Sequence, residues 1–478
     1  MTTTTAWTGG RIAALVTATL ITVLSGLLLA FAGRSTCGQD DVEVPCPTAT
    51  RDHQGQVVTD QLTLAHRPLG REGGITVRLA SMTGIITYPP PDHDEIVPGL
   101  VPWAKAGVIV KDGTGPGSSY AALVMTGGHG VRLQHDYTHD TAGSASDPSG
   151  PRGLRLTRSG DVVTGEESAD GRAWTTVGTA TLPGLPDTAV VGLVVTSPGD
   201  LTFVPTGLGA SAGQERFTQA TAVFDHVTVD GTPAAGWTDT RIGESGTTDW
   251  EKFHRAPGVV ESDGTVTVTG SGDIAPRSSG VHPVEGTLAG LGLGLLVLIV
   301  AAARSATRQD RKALLGRAVV VGSTSFAAGL VAAAAVMPLG SAVLRATGGD
   351  VLPVSFPTGL RVAVGVGVLA AATAVLALAA AVLLRRRWVA VLVVATGVVL
   401  TYALAVLPLL PDEVTRWLLR VTPAAGFAVQ QTVVEFPQVV AQYTPSMGYY
   451  PLPWWAGLLV LCGYAGTALW FAVRRLPR

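Results

Sequence analysis

The sequence predicts an α-helical polytopic membrane bundle of six transmembrane helices, with an all-β extracellular jelly-roll sandwich inserted between the first and second. Three observations predict it. One membrane-length apolar run covers 12–31, and five more fall between 286 and 473. The long stretch between them is polar and patterned as short strands. Finally, 47% hydrophobic and 14% charged side chains over 478 residues are too apolar for an ordinary soluble chain and too mixed for a bundle alone.

A hydrocarbon core of about 30 Å needs about 20 apolar helical residues. The runs 12–31, 286–303, 318–339, 360–384, 388–407 and 455–473 meet or approach that length. Residues 1–33 form the cytoplasmic start and first span. Ala30-Phe31-Ala32 admits a cleaved signal peptide, but the run exceeds a usual h-region, so an uncleaved anchor is expected. The linker 34–57 holds Cys37 and Cys46, read as a disulfide-closed loop in an oxidising compartment, with two free thiols as the alternative. Cys462, in the last span, reads as a small apolar packing residue.

Residues 58–232 read as the sandwich. Ile75-Thr-Val-Arg-Leu79, Ala106-Gly-Val-Ile-Val110, Tyr120-Ala-Ala-Leu-Val-Met125, Val190-Val-Gly-Leu-Val-Val195 and Ala222–Val229 have strand patterning. Asp112-Gly113, Ser159-Gly160, Asp170-Gly171 and Asp230-Gly231 mark turns between strands. Residues 233–284 read as a small β extension and linker, and 285–478 as the remaining five spans with short external helices at 411–435. Gly286, Gly290 and Gly294 share one face of the second span, where another helix can approach closely.

Arginine and lysine set the orientation, because cytoplasmic loops carry them in excess. Arg304, Arg308, Arg311, Lys312 and Arg317, then Arg385–Arg387, then Arg474, Arg475 and Arg478 fall in alternate connections. Both termini are therefore expected inside and residues 34–284 outside. Net charge is only −2, which offers no field for nucleic acid.

Chemistry is sparse. Asp92-His93-Asp94-Glu95 and the 135–140 run HDYTHD hold metal-competent side chains but read as solvated loops, so no metal site is expected. The predicted spans read as free of Asp, Glu, Lys, Arg and His. No Gly-x-x-x-x-Gly-Lys-Ser/Thr loop occurs, so the chain is not expected to be an enzyme and any ATP hydrolysis falls to another subunit.

Two resemblances follow. Pro102-Trp103-Ala104-Lys105-Ala106-Gly107 leading to Lys111-Asp112-Gly113, Gly128-His129-Gly130-Val131-Arg132, the 156–161 run LTRSGD and the 167–174 run ESADGRAW resemble the concanavalin A-like lectin/glucanase sandwich. The runs 330–355, 417–439 and 443–469 resemble actinobacterial type-2 ABC-transporter permeases. That second resemblance implies a cytoplasmic ATPase subunit carrying ATP and Mg, since this chain has no cofactor of its own, and a second permease copy in the bilayer. It places an ATPase-coupling loop at Arg308, Asp310, Arg311 and Lys312, with positive-inside anchoring as the other reading. Met1–Arg11 is short for the family's elbow helix and the 304–317 loop is abbreviated. The alternative is a membrane-anchored sensor that binds envelope glycan and has lost ATPase coupling.

Overall fold

The computed structural model describes residues 9–33, 36–39, 42–45, 48–88, 95–148, 150–205, 211–231, 236–243, 258–277, 280–306, 310–407, 409–439 and 443–477. Helix α1 (Gly9–Ala32) is followed by the β strands, and five further helices long and apolar enough to cross a membrane follow those.

Two antiparallel sheets form the β domain. One has seven strands in the spatial order His139–Ala142, Val131–His135, Tyr120–Thr126, Lys105–Lys111, Ala189–Thr196, Leu62–Leu69 and Thr238–Ile242. The other runs Thr175–Thr181, Val162–Ser168, Arg152–Ser159, Glu72–Thr87, Ser211–Asp230, Thr265–Gly270 and Val259–Ser262, with two short strands paired at its margin. Alternate residues of both, among them Val77, Leu79, Val108, Leu123, Leu156, Leu193 and Phe224, point into one shared core. Each such side chain contributes about 1.5–3 kcal/mol by leaving water. Arg158, fully buried, donates to the carbonyls of Gly160, Gly70 and Pro186 and so ties three loops together.

The 233–284 segment is not a separate β piece, as its sequence suggested. Thr238–Ile242 completes the edge of the first sheet, and Thr265–Gly270 pairs with 220–224 of the second. Val266 and Val268 enter the common core, and that burial decides the matter. The Asp263-Gly264 turn between the last two strands has both residues at positive φ, 50° and 78°, as a type I′ hairpin requires.

The sheets differ on their outer faces. The first sheet's outer face carries Leu64, Ile109, Tyr120, Ala122, Val124 and Val194, covered by Val58, Tyr137 and Ile274. We call it the docked sheet, because Tyr137 of its cover also accepts a hydrogen bond from Gln438 of the helical part. The second exposes polar pairs such as Arg78–Asp225 (2.5 Å) and Arg155–Glu166 (3.5 Å), and is the free sheet.

In the bundle, α2 (Leu291–Arg304) is preceded by a 3-10 turn, Val284–Leu288. Helix α3 (Arg311–Ala346) starts at Asp310, whose side chain accepts from the Ala313 N–H at 2.6 Å. Helix α4 (Phe356–Leu383) is the centre, with 78% of its most apolar stretch buried against α2, α3 and the last helix. The span Arg387–Val406, α5, contains a π turn at Thr396–Leu400. A short helix, α6 (Asp412–Val421), a 3-10 segment (Pro423–Gln430) and α7 (Trp454–Arg474) complete the chain. Small residues at four-residue spacing, Ala18, Thr22, Gly26 and Ala30, are the buried face of α1. Large apolar residues of α1, including Val16, Leu20, Leu24 and Leu28, face outward.

Candidate functional site

The candidate site lies at the sandwich-proximal end of the bundle and is built around the 3-10 segment. Pro423 cannot donate a helical hydrogen bond and Thr422 caps the Ala424 N–H at 3.3 Å, so α6 stops and the chain turns inward. All of Ala424–Gln430 is buried. Glycines admit this non-α-helical backbone: a Cβ at Gly457 would meet the Ala425 carbonyl, one at Gly365 the Val429 side chain, and one at Gly426 Leu461 and Leu369. The external short helices expected at 411–435 are therefore one amphipathic helix followed by a segment inside the bundle.

Polar groups gather where this segment ends. The buried Glu285 accepts from the Thr432 N–H at 3.2 Å and from the Thr432 hydroxyl. Tyr402 donates to Gln430 Oε1 at 3.3 Å, lies 3.2 Å from the Tyr450 hydroxyl and stacks on Phe427. Burial pushes the Tyr450 phenol well above its ordinary range, so it stays protonated as a donor. Arg361, in the second turn of α4, donates to the Gln431 carbonyl and lies 5.4 Å from the Trp454 ring. A cavity of about 460 Å³ is lined by Thr358, Arg361, Glu435, Tyr443, Tyr450 and Trp454 among others. Tyr443 donates to Glu435 at 3.1 Å.

These residues correct the expectation that the spans carry no ionisable group. Arg361 lies in the predicted run 360–384, one residue past its start, and Glu285 immediately precedes the run 286–303. Both sit in the helical stretches that qualify as spans, Phe356–Leu383 and Val284–Arg304. An acid placed directly before an apolar run was the signal available for Glu285.

The glycine face divides. Added Cβ atoms at Gly290 and Gly294 would strike Thr22, Ser25 and Ala18 of α1, so these two glycines seat α1 against α2. Gly286 meets nothing within 4 Å. It belongs to the 3-10 turn, where the four-residue periodicity of an α-helix no longer applies. Cys462 is exposed rather than packed, on a face of α7 that no helix covers among the described residues. Cys46 and the Cys37 side chain, and with them the disulfide expectation, lie outside the described residues, as does Arg308.

At the far end, four arginines close helix C-termini. Arg311 donates to Leu476 (2.9 Å), Arg317 to Ser305 (2.8 Å), Arg387 to Ala306 (3.3 Å) and Arg475 to Leu383 (3.1 Å), each at a carbonyl where a helix dipole is negative. Of the coupling-loop residues, Asp310 is thus a helix cap, Arg311 is tied to the chain's last helix, and Lys312 is exposed.

Two further clusters lie in the sandwich. Under the docked sheet's cover, Lys111 meets Asp60 at 2.8 Å with both side chains fully enclosed. Tyr137 donates to the same carboxylate at 2.8 Å, and the Tyr137 carbonyl accepts from Gln438 of the bundle at 2.8 Å. Burial lowers the Lys111 pKa and raises that of Tyr137. Asp136 and Tyr137 are therefore interior, not solvated, because the chain reverses through positive φ at both and tucks them under the cover. His135 and His139 stack at 4.2 Å, and no group of three metal-competent side chains occurs among the described residues. Residues 92–94 lie outside the described residues. Elsewhere, a pocket of about 580 Å³ is lined by Ser144, Arg152, Glu167 and Asp170, with Glu167 accepting from Ser144.

No protein-family model matches the chain, and no curated protein does. Solved structures do. A functionally unknown protein from Saccharomyces cerevisiae is 16% identical, with 42% of this chain and 93% of that one covered at a TM-score of 0.23. SCP-B, a member of the eqolisin family of peptidases in complex with a tripeptide, is 8% identical, with 46% and 100% covered at 0.26. Scytalido-glutamic peptidase with a transition-state analogue inhibitor is 9% identical, with 46% and 100% covered at 0.29. Two of these three structures are peptidases, and the expectation that the chain is not an enzyme is withdrawn. Likeness at this level assigns no activity to the chain.

Proposed function

We propose that this chain is the membrane-spanning permease subunit of an ABC-type transport complex, powered by a separate cytoplasmic ATPase and paired with a second permease copy. Its concanavalin A-like sandwich lies outside the membrane, toward substrate or envelope. The observation that carries this reading is the buried 3-10 segment Pro423–Gln430 beside a π turn and two ionisable residues in spans. Irregular backbone and charge within a membrane domain are tolerated where they line a path or a site. The arginine-rich far end supports a cytoplasmic assignment for that face, and with it an external sandwich.

The test is affinity purification of the full chain from native membranes. Copurification of a nucleotide-binding subunit, weakened by the exposed-site change Lys312→Glu, is the expected result. A chain recovered without any nucleotide-binding partner overturns it.

A second reading, a membrane-anchored glycan-binding protein, is favoured by the free sheet, where Arg155 lies 3.8 Å over the half-buried Trp174 ring. Glycan binding by the full chain that is lost in Trp174→Ala, with no ATPase partner, would select this reading instead.

A further inference from the structure

Arg361 is a poorly compensated charge in the bundle. It makes no ion pair within 4.0 Å among the described residues, and its Nη1 atom is buried without a partner. Its bond to the Gln431 carbonyl and the Trp454 ring supply only partial negative charge. Glu285 attracts it from beyond ion-pair distance while committed to Thr432. A guanidinium inside an apolar span is costly unless an anion accompanies it, and its planar fork matches phosphate oxygens.

The cavity beside it indicates what the anion belongs to. About 460 Å³ is enough for a polar headgroup but not for a lipid's acyl chains. The helix ends that frame it carry outward-facing Phe356, Leu360, Trp454 and Trp455, which are 81%, 52%, 42% and 53% exposed. Such a rim covers hydrocarbon chains left outside the cavity, and aromatic residues of this kind sit at headgroup level. Glu435, exposed and steadied by Tyr443 and Gln431, adds a carboxylate to the lining.

We propose that the cavity between the N-terminal ends of α4 and α7 binds the headgroup of a zwitterionic phospholipid, its phosphate on Arg361 and its amine toward Glu435. This rests on the bundle spanning a membrane and not on the ATPase partner, so ATPase copurification is unaffected by its success or failure.

The full chain is reconstituted into vesicles of equal phosphatidylethanolamine, phosphatidylglycerol and a neutral diacyl glycolipid, re-extracted in mild detergent, and its retained lipid measured by mass spectrometry. Phosphatidylethanolamine is expected to be enriched about tenfold over the neutral lipid, the scale of one charge-assisted contact. Arg361→Gln abolishes the enrichment. So does Val434→Trp, which fills the cavity from an exposed wall position and leaves α4 untouched. Glu435→Gln removes the preference for phosphatidylethanolamine over phosphatidylglycerol. Equal retention of all three lipids by the unmodified chain, or enrichment surviving both Arg361→Gln and Val434→Trp, overturns the proposal. Soluble glycerophosphoethanolamine that displaces the lipid at equal concentration overturns the lipid assignment.

Discussion

In the sandwich, Lys111 meets Asp60 at 2.8 Å with both side chains enclosed, whereas in the bundle Arg361 has no carboxylate within ion-pair distance among the described residues and Glu285 is held by a threonine. The sandwich gives its buried cations partners, a carboxylate for Lys111 and loop carbonyls for Arg158, and so closes its interior. The bundle leaves charge partly matched at a cavity, where a ligand can complete it. Burial by itself therefore does not mark a functional group; burial without a partner, next to open space, does.

The largest expected effect tests the closed side of that contrast. Lys111→Met strands the Asp60 carboxylate and should cost about 3–5 kcal/mol, read by denaturant unfolding of the β domain in the full chain. Adding Asp60→Leu should restore most of it, and a cost near zero for the single change would mean the pair is not enclosed. Next, Arg158→Met leaves several loop carbonyls without their charged donor, for a loss of about 1.5–3 kcal/mol by the same measurement.

In the bundle the lever is space rather than charge. Gly457→Ala pushes a methyl group onto the Ala425 carbonyl and should cost about 1–3 kcal/mol in a thermal melt of the detergent-solubilised protein. Gly286→Ala meets nothing and should stay within about 0.5 kcal/mol. Equal effects would show that the 3-10 segment does not pack as described.

The smallest effect is a pH dependence on the free sheet. The hydrogen bond from Arg78 holds the Asp225 carboxyl at about 2, against some burial that opposes it. A depressed carboxylate contributes stability above its unfolded pKa of about 3.9, and that contribution is lost as pH falls through the folded value. Unfolding midpoints should therefore drop between pH 4 and 2, and the drop should shrink in Arg78→Ala.

Much of this fold was legible because period and length are strong signals. The six apolar runs and the strand alternation in 58–232 needed no tertiary information. The β extension was misjudged because Thr265–Gly270 is short and its neighbour in space, 220–224, is distant in sequence. The site was harder to read. Ala424–Gln430 resembles any short apolar loop, and only its contacts with Gly365 and Gly457 reveal that it enters the bundle. Arg361 was overlooked at the edge of a long apolar run. In Arg311, charge pattern alone could not separate a contact surface from a helix closure, because both use the same residue at the same place.

The sandwich is joined to the helices at more than its two covalent crossings. Asp350, beyond α3, receives Arg51 at 3.2 Å and the Ala49 N–H at 2.7 Å, its neighbour Val351 bridges His282, and Gln438 grips the Tyr137 loop. A domain pinned at so many points cannot swing as a tethered ball. Gln438, which holds the Tyr137 loop, follows Thr432, the partner of Glu285, along the same short connection, so one stretch of chain touches both the sandwich and the wall of the cavity.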